Sequence, residues 1–283
     1  MPLRARTVLR AAAGCVALMA LVWFAAFHVG FAQHADQSGY IQFGDLQGHG
    51  SIAWIAWHLV SLFEPDPYVY LVLVPLVLAL IRGRPRVVLA VAAIALGANA
   101  STELLKHLLA TPRAGSEFFG GVSPMAQASW PSGHSTAAMS LALASVLAVP
   151  ARLRPAAAAL GATLAIAVGY SVVAAGLHYP SDVLGGFLMA ATWTLMTVAA
   201  LMAAERRWPS PRASSAPVST RAALGAPGAV LAAAGTLGLV LAVSRPHDVV
   251  AYASAHQAFV LEAAAIAALS LAVSTAVLLS VRR

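Results

Sequence analysis

Charge is scarce in this chain: of its 283 residues only 10% are Asp, Glu, Lys or Arg, against about 25% in an ordinary soluble domain. With 60% hydrophobic residues, a soluble fold of this size could bury a core but could not cover it with so few charges. Cysteine occurs once, as Cys15 inside the first apolar block. A single thiol forms no intrachain disulfide and no metal motif, so cysteine usage says nothing about redox compartment. Lysine also occurs once, as Lys106. His34, Asp36, Asp45 and His49 make a loose set in the first outer loop, and no metal or other cofactor is expected. No internal repeat stands out.

What the chain has in quantity is long apolar blocks, and roughly 20 consecutive apolar residues span the hydrocarbon layer of a membrane. Spans are expected at about 8–29, 67–81, 87–108, 134–150, 156–177, 183–204, 224–243 and 258–281. In the first, Val8 to Phe27 could serve as a signal peptide cleaved after a small residue such as Ala32, but its apolar stretch is longer than the roughly 7–15 residues of a signal-peptide apolar region, which favours a span. The second is short and contains Pro75. Just before it, Ser51 to Phe63 carries Trp54, Trp57 and His58 and reads as an amphipathic helix lying at the interface. The fold class expected is all-α: a polytopic membrane helical bundle with a six-span core at 1–207, a Pro- and Ser-rich cytoplasmic linker at 208–223, and two additional spans at 224–283.

The net charge of +7 invites a nucleic-acid reading until the basic residues are placed. Arg4, Arg6 and Arg10 precede the first span, Arg82, Arg84 and Arg86 follow the second, and Arg152 and Arg154 follow the fourth. Arg206, Arg207, Arg212 and Arg221 follow the sixth, and Arg282 and Arg283 come last. All of these fall on one side of the alternating spans, which the positive-inside rule makes the cytoplasm. Lys106, Arg113 and Arg245 remain for the other side. The basic balance therefore reports topology, and no nucleic-acid partner is expected.

Three short segments hold nearly all the remaining unusual polar residues, and the alternation puts them at one membrane face. The first runs from Lys106 to Arg113 at the outer end of the third span. Either cation alone could snorkel to the interface, but two on the sparsely basic side suit an anion such as phosphate. The second, Trp130-Pro131-Ser132-Gly133-His134-Ser135, is a turn opening the fourth span. Helix N-termini present free N–H groups to anions, Gly133 permits close backbone approach, and His134 at the lip is placed to move a proton. The third, Gly176-Leu177-His178-Tyr179-Pro180-Ser181-Asp182, joins the fifth and sixth spans. His178 and Asp182 are four apart, as on one helical turn, and a carboxylate beside an imidazole turns it into a nucleophile or base. The plainer reading of that pair is a helix cap, with Ser181 or Asp182 capping the sixth span.

These segments resemble the three signature motifs of the type 2 phosphatidic acid phosphatase (PAP2) superfamily. Lys106 and Arg113 match the first, with Ala114 where the family has proline. Pro131, Ser132, Gly133 and His134 match the second completely. Ser171, His178 and Asp182 match the third, with Val172 at the position of an arginine. The likeness spans about residues 100–190 and fits the six-span core of the membrane branch.

The resemblance implies a lipid-phosphate phosphatase facing the extracytoplasmic side of a bacterial inner (cell) membrane. Its substrate would be a lipid phosphomonoester or diphosphate, such as phosphatidic acid or a polyprenyl diphosphate. His178 would attack phosphorus and form a phosphohistidine, Asp182 would orient it, and His134 would protonate the leaving oxygen and then activate water. Lys106, Arg113, Ser132 and the Gly133 N–H would hold the phosphoryl oxygens. Two alternatives share the scaffold: a non-catalytic lipid-phosphate binder and a lipid phosphotransferase. Membrane lipids are the other expected partners. With Val172 in place of the clamping arginine, Arg245 is the basic residue left to substitute. The short Pro-containing turn at 244–248 would set it over the site or, more plainly, beside Asp248 at the interface.

Overall fold

Four helices begin at a proline and a fifth carries one at its second position. Pro65, Pro85, Pro155, Pro180 and Pro246 each stand in the first helical turn, where a missing N–H costs no hydrogen bond. The structure, a computed structural model, describes residues 5–109, 129–209 and 220–281. In chain order these residues form α1 (Ala5–His28), α2 (Gly30–Gly44), α3 (Gly50–Ser61), α4 (Pro65–Ile81), α5 (Pro85–Leu108) and α6 (Gly133–Ala148). There follow α7 (Arg154–Ala174), α8 (Pro180–Arg207), α9 (Thr220–Ser244), α10 (Pro246–Ala255) and α11 (Gln257–Ser280). No strand occurs among the described residues. The protein is an all-α polytopic bundle.

By length and composition α1, α5, α7, α8 and α11 can cross a membrane, and the pair α3–α4, bent by 69°, makes a sixth crossing if taken as one span. The span expected at 134–150 is found at nearly those bounds and is shorter than a full crossing. α6 has 16 residues, about 24 Å at 1.5 Å per residue, against a hydrocarbon layer of roughly 30 Å. It packs against α4, α5, α7 and α8 and is buried along most of its length. A helix enclosed by other helices meets protein instead of lipid, so its length is free of the bilayer thickness. The seventh expected span lies in α9, whose apolar stretch Gly228–Val240 is likewise shorter than a full crossing.

Two connections also differ from expectation. The first outer loop folds as α2, and the turn expected at 244–248 is the start of α10, a ten-residue helix opened by Pro246. Trp54 and Trp57 are exposed on α3, as an interfacial helix would have them, but the bend joins α3 directly to α4.

α8 is the hub, packing against α1, α5, α6 and α11. α11 fills its share of the interior too, with Ile266, Val277 and Leu278 fully buried. In a bilayer the apolar surroundings give helices little hydrophobic reason to associate, so close backbone approach supplies the contact. Gly186 shows how close. A Cβ built there would stand 2.7 Å from the Ser132 carbonyl oxygen and 3.0 Å from the Thr136 nitrogen.

The two ends of the bundle differ in chemistry. At one, Arg84 donates to the Leu147 carbonyl at 3.1 Å and Arg86 pairs with Glu205 at 2.8 Å. At the other, Glu64 meets His134 at 3.2 Å, and His178 lies between α7 and α8.

Gly186→Ala should push the start of α6 off α8 and destabilise the protein by about 1–3 kcal/mol, as overpacking does. Thermal unfolding in detergent checks this, and a midpoint equal to wild type would show that the contact has slack.

Candidate active site

α7 ends in a Schellman motif that launches the third segment. Gly176 takes φ +71°, its N–H donates to the Val173 carbonyl at 2.9 Å, and the Leu177 N–H donates to the Val172 carbonyl at 2.9 Å. The His178 N–H reaches the same Val172 oxygen at 3.3 Å. Tyr179 is then extended as the N-cap of α8, Pro180 opens the helix, and Asp182 sits in its first turn. His178 therefore lies outside the helix, not on one turn with Asp182, because Tyr179–Pro180 holds the chain extended. The pair still forms: His178 Nδ1 lies 3.3 Å from Asp182 Oδ2. The same oxygen accepts the Tyr179 N–H at 3.0 Å. Capping and orienting the histidine are thus one interaction, not rival ones.

The second segment is bound to the third through the backbone. The Ser132 N–H donates to the Asp182 carbonyl at 3.0 Å. Ser132 is the N-cap of α6, its Oγ accepting the Ser135 N–H at 3.3 Å, so its fully buried hydroxyl already serves the helix. The first-turn N–H groups of Gly133 and His134 have no intrahelical acceptor, as at any helix start. The rings of His134 and His178 face each other edge-on with centroids 6.2 Å apart.

Lys106, at the C-terminal end of α5, completes the cluster: a Cβ on Gly133 would lie 3.2 Å from its Nζ. Lys106 Nζ donates to Glu103 Oε1 at 2.7 Å. His134, His178, Asp182, Lys106, Ser132 and Gly133 are thus brought to one place. Arg113 lies outside the described residues. Val172 is fully buried in the hydrophobic core. Arg245 is the N-cap of α10, exposed and with no ion pair among the described residues.

Two carboxylates join the site without having been anticipated. Glu103 was legible, being three residues before Lys106 on one helix face. Glu64 was not, because its contact with His134 Nε2 spans 70 positions and only the fold of α3–α4 creates it.

A further group of residues braces the histidine segment from α2. Asp36 is buried and accepts the Ser181 N–H at 2.9 Å and the Ser181 hydroxyl at 2.7 Å. Tyr40 stacks on Tyr179 at 4.7 Å and donates to the Gly176 carbonyl at 3.1 Å, and burial keeps its phenol above the usual pKa and so neutral. Gln47 donates to the Ala174 carbonyl at 2.6 Å. Asp36 is thus engaged with α8, and no group that could hold a metal ion occurs among the described residues. Asp36→Ala should cost about 1–3 kcal/mol, the usual penalty for unpairing buried donors, and should loosen residues 176–181 first. Hydrogen exchange reads this out; unchanged protection of that segment would remove Asp36 as its brace.

Residues 86–206 match the family model of the PAP2 superfamily. No curated protein and no solved structure matches the chain. The matched region contains all three signature segments and runs from the start of α5 to the end of α8, while α1 to α4 and α9 to α11 lie outside it. The region at 86–206 is thus similar to the PAP2 superfamily, and the apolar helices that carry it are consistent with its membrane branch.

Proposed function

We propose that this membrane phosphatase-type scaffold dephosphorylates a lipid phosphate or diphosphate through a phosphohistidine at His178. The observation that carries the reading is the His178–Asp182 pair, 3.3 Å apart, facing His134 across 6.2 Å between ring centroids. With Nδ1 turned to Asp182, Nε2 is the nitrogen left to attack. A bond forms from His178 Nε2 to phosphorus as the bond from phosphorus to the lipid oxygen breaks, and His134 gives the leaving oxygen its proton. Water then attacks phosphorus, His134 takes the proton back, and the N–P bond breaks to release phosphate. Asp182 stabilises the charge that His178 gains at the first step.

Lys106, Arg113 and the open first turn of α6, with Gly133 in it, would hold the phosphoryl oxygens as charge develops. Position 172 supplies no charge, so this set carries the stabilisation that an arginine there would share. Burial and the facing His178 work against the imidazolium of His134, the form that can donate a proton, and the Glu64 carboxylate beside it offsets part of that cost. The opposite, arginine-bearing end of the bundle supports an extracytoplasmic orientation for the site, in a bacterial inner membrane.

Phosphate release from a panel of lipid phosphates by the purified protein tests the proposal. His178→Ala should abolish turnover, and Asp182→Asn should lower kcat about 100-fold or more with the protein still folded. Wild type that binds a lipid phosphate but releases none leaves the non-catalytic binder; phosphate passed to a second lipid indicates a transferase. Glu64→Gln should lower kcat about 3–30-fold and leave KM nearly unchanged, part of what a general acid contributes. A Glu64→Gln enzyme as fast as wild type assigns that carboxylate no part in the chemistry.

A further inference from the structure

The bundle end remote from the histidines gathers three guanidinium groups from separate elements. Arg82 follows α4, Arg84 precedes α5, and Arg154 opens α7. Arg154 is only 6% exposed, and its charge is opposed by those of Arg84 and Arg82. Arg84 in turn feels Arg82. The carboxylate at this end among the described residues is Glu205, and Arg86 takes it at 2.8 Å.

Capping accounts for part of the arrangement. Arg84 donates to the Leu147 carbonyl at the end of α6, and Arg154 donates to the Val281 carbonyl at the end of α11, where helix dipoles favour cations. That uses one nitrogen from each of two arginines. The Nε of Arg154 and the Nε of Arg82 are buried with no hydrogen-bond partner among the described residues. Three cations that repel one another and leave donors unfilled form a cluster that an anion with several oxygens would complete. Guanidinium groups fit phosphate in this way, each through two parallel hydrogen bonds.

We propose that Arg82, Arg84 and Arg154 form a second binding site, for a phosphate-bearing anion, at the end of the bundle opposite His134 and His178. The ligand is either the headgroup of an anionic phospholipid, whose phosphate lies at the depth where these helices end, or free phosphate from the adjoining water. Binding would tie α4, α5, α6, α7 and α11 together at a point where the protein's own charges push them apart. No step of the phosphatase chemistry depends on it.

Thermal unfolding of the full chain in lipid-free detergent tests the site, with chloride as the baseline at matched ionic strength. Free phosphate or phosphatidylglycerol in mixed micelles should raise the midpoint by about 2–4 °C over chloride or phosphatidylcholine. Arg82→Gln and Arg84→Gln, both at partly exposed positions, should each remove at least half of that rise. Arg152→Gln, which takes away an exposed charge at the same end, should keep it. A rise with free phosphate identifies the soluble anion, and a rise with phosphatidylglycerol alone identifies the lipid headgroup. No rise with either overturns the proposal. So does a rise equal in wild type, Arg82→Gln and Arg84→Gln, which would place the anion at the histidine end, or one lost equally in Arg152→Gln, which would make it general charge neutralisation.

Discussion

A carboxylate with no exposed surface must have its oxygens satisfied by the protein, and a buried charge left without donors is costly. Asp182 is in that position. Its side chain accepts from His178 and from the N-cap of α8, and its backbone carbonyl accepts from Ser132 at the start of α6. Two helix starts and one imidazole are therefore referenced to one residue. If it shifts, the separation of His134 and His178 shifts with it, since each histidine reaches the other through Asp182 and its neighbours. The close approach at Gly186 serves the same geometry from the other side, pressing α8 against the first turn of α6.

The PAP2 region does not hold its own histidine segment unaided. Asp36, Tyr40 and Gln47 come from before it and take up Ser181, the Gly176 carbonyl, the Tyr179 ring and the Ala174 carbonyl. Glu64, which meets His134, also precedes it. The segments at 30–64 therefore form a support that binds to the site's backbone and to one of its histidines. From the opposite flank α11 packs on α2, α7 and α8. The side chains of the candidate site and those that support them are drawn from different parts of the sequence, which is how a rigid site can be made from short motifs.

Much of this was legible because the motifs act locally. Asp182 and His178 are four residues apart, and Pro180 with Gly176 marks where one helix stops and the next begins, so the third segment could be read as a helix junction. The reading erred only in putting both residues on one helical turn, since it overlooked that Tyr179 before Pro180 is held extended. Span positions were legible to within a few residues at α1, α6 and α11, and the shortness of α6 goes with its burial among other helices. Glu64 was beyond reach for a different reason. Its partner lies 70 residues away, and no periodicity links them. The α2 brace was hidden because Asp36 and Tyr40 sit among polar residues that resemble a loop, and only their partners, Ser181 on α8 and Gly176 just past α7, give them purpose.

The brace from α2 also sets an order on assembly. Asp36 and Ser181 are 145 positions apart, so α2 has left the ribosome long before its partner exists. At about 5–20 residues per second, synthesis of the intervening chain takes on the order of 10 s. During that time the Asp36 carboxylate, buried in the finished protein, has to be kept in water. The arginine end closes later still, since Arg154 waits for the Val281 carbonyl 127 positions on. Each end of the bundle is thus locked by a residue made long after the one it captures.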